Sequence, residues 1–231
     1  ELYIKGTLPT ERRITVAIVG SRKPSAYGVE VTERFASALA KRGVVIVSGL
    51  AFGVDKIAHE ACLDAGGTTI AVMPGGLHSV YPANHKALAD RIVKSGGALV
   101  SEYEPGVDPR NYHFLARNRI VSGLAAAILV TEATDRIGTF STVTHAINQN
   151  KEVFAVPLPI NSLLSVGPNR IIQAGAQGAL TPEDILMSIA PELLKSGVGQ
   201  QALPLGDTLL EVAILEGLQK GHHTSDALLE Y

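Results

Sequence analysis

Short apolar runs alternate with segments of helical periodicity along most of this chain. The runs are continuous and rich in β-branched residues, which is typical of strands buried on both faces of a sheet. Strand candidates lie at about 14–19, 44–48, 68–73, 98–101, 127–131 and 152–156. Helical patterns lie near 28–42, 54–65, 83–95, 111–124 and 139–150. Strands separated by such helices indicate βαβ units, and therefore an α/β fold with a parallel sheet and helices on both faces.

The pattern divides the chain into four regions. Residues 1–13 are interpreted as a lead-in, and residues 14–190 hold the α/β domain, which closes with a helix that begins at Thr181-Pro182. Residues 191–206 are rich in glycine and proline and are interpreted as a linker. Residues 207–231 carry an amphipathic helix and the start of another, which predicts the beginning of a helical module that is incomplete.

Glycine and small polar residues follow most of the predicted strands. Gly20-Ser21-Arg22 follows the first strand, and Pro74-Gly75-Gly76 follows the third. Right-handed crossovers place all these strand ends on one edge of the sheet, where open α/β sheets bind ligands. We therefore expect an anionic ligand at the Gly20-Ser21-Arg22 turn. Free N–H groups, the positive end of the following helix and the Arg22 fork would hold it.

Composition limits the classes of function. The chain has 231 residues, of which 46% are hydrophobic, and a net charge of −2. It therefore has no global positive field, and a nucleic-acid partner would need a local patch. The single cysteine, Cys62, cannot form an internal disulfide, which favours a reducing, cytoplasmic setting. No apolar run reaches membrane-spanning length, so no membrane partner is expected.

Basic residues supply a candidate for that local patch. Seven of them lie in or just after loops at the predicted ligand edge: Arg22, Lys23, Lys56, Arg110, Arg117, Arg119 and Arg170. Lys56 is in the first turn of its helix, where a cation opposes the helix dipole, so we expect it to have a partner. As a set, these side chains indicate a backbone of several phosphates. Tyr27, Phe52 and Phe114 offer surfaces on which bases stack.

The residues do not form a catalytic or metal-binding pattern. Asp55 and His59 share a helical face, but no second cluster has ligand spacing. We therefore expect a structural hydrogen bond between that helix and the sheet. The glycine spacing fits neither a P-loop nor G-x-G-x-x-G, and there is no nucleophile elbow. The sequence thus predicts a binding protein without metal or cofactor, rather than an enzyme.

A series of motifs at the strand ends resembles a known family over about residues 2–180, in the same order. The motifs are Gly20-Ser21-Arg22-x-Pro24-x-x-Tyr27-Gly28, Gly53-Val54-Asp55-x-x-Ala58-His59, Tyr81-Pro82-x-Asn84, Arg117-Asn118-Arg119 and Gly167-x-Asn169-x-x-Ile172. Together they are similar to those of the DprA/Smf family, DNA-processing protein A. The loop Arg136-Ile137-Gly138-Thr139 departs from the family pattern, so the contacts of this loop are open.

The resemblance implies an extended Rossmann-like sheet with a mixed edge, followed by a truncated winged-helix-like segment. It also implies a homodimeric protein that binds and protects single-stranded DNA and helps to load the RecA recombinase in natural transformation. On the matching motifs, Gly20, Ser21, Arg22 and Lys56 are the phosphate-binding residues. Further candidates with less support are Arg119, Asn169 and Arg170.

Two alternatives stay open. The lysine-decarboxylase-like, or LOG, nucleotide phosphoribohydrolases share a related fold and a glycine-threonine motif, which Gly138-Thr139 resembles. Ser141 and Thr142 stand where those enzymes carry glutamates, so this segment offers no carboxylate as general acid or base. The second alternative is a nucleotide-sensing Rossmann module without DNA binding.

Overall fold

The structure is a computed structural model that describes residues 1–9, 13–134 and 137–195. Residues Glu1–Leu193 form one compact unit, and the chain from Leu194 onward belongs to a second one. The predicted linker begins with a short helix, α8 (Glu192–Lys195). The rest of 191–206 and the helical module at 207–231 lie outside the described residues.

Eight strands of the described part form one sheet. They are β1 (Tyr3–Gly6), β2 (Thr15–Val19), β3 (Val45–Ser48), β4 (Thr69–Val72), β5 (Ala98–Ser101), β6 (Ala127–Val130), β7 (Glu152–Ala155) and β8 (Gln177–Gly178). Their order across the sheet is β1-β5-β4-β3-β2-β6-β7-β8. β1 pairs antiparallel with β5, and the other pairs are parallel. The predicted parallel sheet with a mixed edge is confirmed.

Helices connect the parallel strands. Their bounds are α1 (Ala26–Lys41), α2 (Val54–Asp64), α3 (Lys86–Lys94), α4 (Asn111–Gly123), α5 (Ile137–Asn148), α6 (Val166–Gln173) and α7 (Pro182–Ile189). Every strand and helix predicted between residues 14 and 156 is present, with closely similar bounds. Within the described ranges, no helix has the length and apolar character needed to cross a bilayer.

The apolar pattern does not predict the two edge strands. β1 lies within residues 1–13, which the sequence analysis interprets as a lead-in, and β8 has only two residues. Most of β1 is exposed, and backbone pairing with β5 defines it. Edge strands carry a weak hydrophobic signal because solvent, rather than a neighbouring strand, lies along one side of them.

The core lies on both faces of the sheet. Val72, Val100 and Ile128 pack with residues of α4, α5 and α6, whereas Ala71 and Met73 pack on the opposite face with residues of α2 and α3. Successive side chains of a strand point to opposite faces. Because both faces are covered by helices, the central strands are continuous apolar runs rather than alternating ones.

The order of the strands reverses at β2. β3, β4 and β5 lie on one side of β2, and β6 and β7 lie on the other. In open α/β sheets, the connections at such a reversal leave on opposite faces, so a crevice opens beyond the carboxyl ends of the two central strands. For this chain the crevice lies at the ends of β2 and β6.

Candidate functional site at the carboxyl edge of the sheet

A cleft of about 660 Å³ opens at this crevice. It is lined by the loop after β2 (Gly20, Ser21, Arg22 and Lys23), by Ala51 and Asp55 near the start of α2, by Phe114, Arg117 and Asn118 of α4, and by Gly138, Thr139 and Thr142 of α5. The predicted ligand edge therefore coincides with a cavity. Three of the seven predicted site residues, Gly20, Ser21 and Arg22, line it.

The loop after β2 is held in place by its own backbone. Ser21 donates its N–H to the carbonyl of Glu132 (2.6 Å), and the Ser21 carbonyl accepts the N–H of Val54 (3.0 Å). Gly53 has a φ of 74°, and a Cβ at this position would overlap the Ser21 carbonyl. Glycine is thus required for the two loops to meet. The turn has a defined shape before any ligand arrives.

Arg22 projects from this turn and is exposed. Its guanidinium carbon lies 5.8 Å from the centroid of the Phe114 ring, within the range of a cation–π contact. Phe114 in turn meets Tyr81 edge-on, at 5.2 Å between centroids. In the described part of the chain no carboxylate forms an ion pair with Arg22. Its donors are available to a ligand.

The N-terminal end of α1, which carries a partial positive charge, is less open to a ligand than Arg22 because groups of the protein itself already contact it. Ser25 donates its N–H to Glu132 Oε2 (2.8 Å), and the Ser25 hydroxyl accepts the N–H of Gly28 (3.1 Å). Two of the N–H groups that the sequence offers to an outside anion at this helix end are therefore engaged within the protein. Glu132 follows β6, which lies beside β2, so the tertiary fold brings an internal carboxylate to the helix end.

Arg117 also lines the cleft, but it is bound by the protein itself. It is only 4% exposed, and it donates to the carbonyls of Gly49 (2.6 Å) and Val72. Asp55, buried beside it, accepts the N–H groups of Gly49 (3.1 Å) and Ala51 (3.3 Å). The two side chains hold the loop after β3 from both sides. We therefore assign Arg117 to the support of the cleft rather than to the ligand.

The pKa values of this pair follow from burial. Burial raises the pKa of Asp55, and the charge of Arg117 opposes the rise. Burial lowers the pKa of Arg117 to about 10, Asp55 opposes this, and the positive charge of Arg22 adds to it. Arg117 remains protonated at neutral pH, with Asp55 as the group that favours its charge and Arg22 as the group that opposes it.

His59 forms the structural hydrogen bond that the sequence predicts between α2 and the sheet. Its Nδ1 lies 2.7 Å from the hydroxyl oxygen of Thr69 in β4. Thr69 gives its one hydroxyl hydrogen to the carbonyl of Ile46 (2.7 Å), so His59 Nδ1 must carry the proton and donate. Burial, followed by the charge of Arg117, lowers the pKa of His59 to about 3. The ring is therefore neutral.

Lys56 and Arg119 do not line the cleft, as far as the described residues define it. The Lys56 ammonium lies 3.5 Å from Glu60 one helical turn later, which supplies the partner that its position at the start of α2 requires. Arg119 pairs with Glu102, which follows β5. Both basic side chains are exposed enough to reach a ligand that extends beyond the cleft.

Asn169 and Arg170 lie on α6, outside the same described lining. Asn169 accepts the N–H of Leu158 (3.1 Å) and donates to the Leu158 carbonyl (2.9 Å). Both ends of its amide are therefore used to hold the loop after β7. Arg170 is exposed in the last turn of the helix. The structure thus separates two neighbours that the sequence analysis placed together.

Sequence reasoning missed the contribution of the segment after β6. Thr139 and Thr142 line the cleft, and Asn118 donates to the carbonyl of Gly138 (3.2 Å), which joins α4 to the start of α5. The signal that points to them is topological, because β6 ends at the same edge as β2. From the sequence, this segment is placed at the ligand edge and departs from the family pattern, but none of its residues is predicted as a site residue.

Comparison with known proteins places the chain in a family. The family model for DNA recombination-mediator protein A matches residues 1–190, and the chain belongs to this family. The protein Smf of Escherichia coli is 41% identical over 222 residues, which are 91% of this chain and 59% of that protein. The chain therefore spans less than two thirds of this relative.

Two solved structures are similar to the described fold. One is DNA processing protein A of Streptococcus pneumoniae, with a TM-score of 0.75 and 40% identity over 81% of this chain and 66% of that chain. The other is DNA processing protein A of Helicobacter pylori, with a TM-score of 0.74 and 33% identity over 83% of this chain and 87% of that chain. The work on the second structure concerns its single-stranded DNA binding mode.

Proposed function

We propose that this chain binds single-stranded DNA in the cleft and performs no catalysis there. The observation that carries the proposal is Arg22, an exposed guanidinium on a turn whose backbone is fixed on both sides. An arginine fork in this setting suits a phosphate, and the Phe114 ring beside it suits a base. The similarity to the Helicobacter pylori protein supports the same class of ligand.

A bound DNA strand would contact the candidate residues in two places, inside the cleft and beyond it. Gly20, Ser21 and Arg22 are in the cleft and contact the nearest phosphate. Lys56, Arg119 and Arg170 are exposed and lie outside the described lining, so they contact phosphates further along the strand. Asn169 contributes indirectly, by holding the loop after β7.

The absence of catalysis is part of the proposal. Asp55 lines the cleft, but its carboxylate is buried and accepts two backbone N–H groups. Glu132 is 2% exposed and is engaged by Ser25. A general acid or base must reach the proton it transfers, and these two carboxylates are turned to the protein. This favours binding over the phosphoribohydrolase alternative. Release of free base from a nucleoside monophosphate by the purified chain would contradict it.

Fluorescence anisotropy with a labelled oligothymidylate, at a series of salt concentrations, tests the binding. Arg22→Ala removes one charge-assisted contact, so we expect about a tenfold or greater loss of affinity. We also expect the slope of log affinity against log salt to fall by about one unit. Arg22→Lys should keep the slope but lose part of the affinity, because lysine offers a point charge instead of a fork.

Arg34→Ala is the matched control for this experiment. Arg34 is exposed on α1, so its loss changes the net charge by the same amount without altering the cleft. Affinity that is unchanged in Arg22→Ala, or reduced equally in Arg34→Ala, contradicts the proposed site. Wild-type binding that does not depend on salt contradicts a phosphate contact altogether.

The proposal includes the partners that the family resemblance implies, a second copy of the chain and the RecA recombinase, and a cytoplasmic setting for DNA recombination. Several large apolar side chains after β7 and near α7 are mostly exposed, as a protein interface requires: Ile160 (93%), Leu163 (82%), Leu180 (70%) and Met187 (66%). Sedimentation velocity of the chain, alone and with RecA and single-stranded DNA, tests both partners. A chain that stays monomeric contradicts the second copy as a partner. Unchanged loading of RecA on DNA contradicts the RecA partner.

A further inference from the structure

Helix α1 begins against a carboxylate of its own chain. Glu132 accepts the Ser25 N–H at Oε2 (2.8 Å) and the Ser25 hydroxyl hydrogen at Oε1 (2.6 Å). The Ser25 hydroxyl oxygen accepts the N–H of Gly28 in turn (3.1 Å). Glu132 is 2% exposed, so its carboxylate is buried against Ser25 at the start of the helix.

Gly28 makes room for this arrangement. A Cβ on Gly28 would overlap the carboxyl group of Glu132, so any larger residue would displace it or break its bonds to Ser25. The glycine of the first helical turn is therefore used for the close approach of an internal anion. In dinucleotide-binding sheets, glycines near this helix instead allow the backbone to approach an external pyrophosphate.

The position of Glu132 is the position at which a nucleotide phosphate would be expected. The N–H groups and the dipole at the start of a helix attract an anion, and the helix after the first central strand is the common phosphate site of such sheets. In this chain the N–H and hydroxyl of Ser25, at that helix start, donate to a carboxylate, and the Ser25 hydroxyl in turn holds the N–H of Gly28. A second anion placed there would lose those donors and would be repelled by the charge of Glu132.

We propose that Glu132 is a specificity-determining residue of the cleft. Its carboxylate occupies the anion site at the start of α1, excludes the phosphate of a free nucleotide from it, and leaves phosphate binding to the side chains of Ser21, Arg22 and Lys23. The exclusion stands on the geometry alone. The transfer of phosphate binding to the side chains rests on the proposed function.

The test uses inorganic phosphate and the full chain labelled with ¹⁵N. In the wild type, phosphate should leave the backbone amide signals of Ser25 and Gly28 unshifted. In Glu132→Ala the anion site is vacated, so both signals should shift and saturate at millimolar phosphate. Phosphate should also raise the Tm of Glu132→Ala by more than it raises that of the wild type, relative to chloride at equal ionic strength, because the variant gains a second native-state site for the anion.

Two variants test whether phosphate binding at the start of α1 depends on the volume that Glu132 fills or on the loss of a negative charge. Glu132→Gln keeps the volume and an acceptor for Ser25, so we expect no saturable shift. Glu102→Ala removes another carboxylate that follows a strand at the same edge, and it should leave the Ser25 and Gly28 signals unshifted in phosphate. If Glu102→Ala gains phosphate binding at α1, the effect is one of general charge, and the proposal is overturned.

A saturable shift of Ser25 in the wild type overturns the proposal without any variant, and so does a folded Glu132→Ala that does not respond to phosphate. Gly28→Ala gives a further measure of the contact. It should lower the Tm of the wild type by several degrees and should lower the Tm of a Glu132→Ala background less. If the wild type does not bind single-stranded DNA, the proposed function is contradicted. The phosphate-induced shifts decide the role of Glu132 independently of that result.

Discussion

Arg22 and Arg117 line the same cleft, yet their surroundings are opposite. Arg117 is buried, it donates to two backbone carbonyls and the neighbouring Asp55 favours its charge. Arg22 is exposed, its guanidinium lies over the Phe114 ring, and it has no ion pair among the described residues. A cationic cleft can therefore contain two kinds of charge, one that supports the fold and one that is open to a ligand. Burial and existing partners distinguish the two kinds.

The largest expected effect is on the supporting side of this comparison. Arg117→Met leaves the carbonyls of Gly49 and Val72 without this donor and removes the buried charge beside Asp55, and the loss of one partner from such a buried polar network costs about 3–5 kcal/mol of unfolding free energy. Arg22→Met removes an exposed charge and should change stability by no more than about 0.5 kcal/mol. Urea unfolding followed by circular dichroism compares the two. Equal losses would mean that the division into supporting and binding arginines is wrong.

A pH series sharpens the account of the buried region. The pKa of His59 is lowered to about 3 in the folded chain, whereas an unfolded histidine titrates near pH 6.5. Between these values the unfolded chain binds a proton that the folded chain does not, so stability falls as the pH decreases from about 6.5 towards about 3. The expected slope for one proton is about 1.4 kcal/mol per pH unit.

The variant His59→Gln isolates this contribution. At pH 8 the ring is neutral in both states, so the variant should be less stable than the wild type because it loses the contact with Thr69. The difference should narrow as the pH falls to 5, because the variant has no proton to gain at this position. Parallel stability curves for the two proteins over pH 8 to 5 would contradict the lowered pKa.

The smallest expected effect concerns Arg119, an exposed arginine that has a partner. Its ion pair with Glu102 is on the surface, and such pairs contribute about 0–1 kcal/mol. Arg119→Ala should therefore barely change stability, and it should weaken single-stranded DNA binding less than Arg22→Ala does. Anisotropy and urea unfolding of the two variants give the comparison. A larger loss of binding in Arg119→Ala would move the main phosphate contact out of the cleft.

The fold was largely predictable because its central strands are buried on both faces. Runs such as Val45–Ser48 and Ala127–Val130 are apolar at nearly every position, and helical periodicity separates them. The apolar pattern did not locate the antiparallel edge strand Tyr3–Gly6, since an exposed strand is defined by its backbone pairing rather than by apolar side chains.

The site was predictable in place but not in detail. The turn Gly20-Ser21-Arg22 could be placed at the ligand edge, because parallel strands bring their carboxyl ends together. The role of Glu132 could not be predicted, since it depends on a contact with Ser25 across 107 positions of sequence. The buried position of Arg117 depends in the same way on Gly49, which is 68 positions away.

The strands, the helices, the edge proposed for a ligand and the family resemblance could all be inferred from the sequence alone. These follow from local periodicity, from the handedness of crossovers and from motifs of neighbouring residues. Only the tertiary structure decided which charges at that edge are open to a ligand. Exposure, pKa and partners of a polar side chain depend on the groups packed around it, and in this cleft those groups come from strands and helices far apart in the chain.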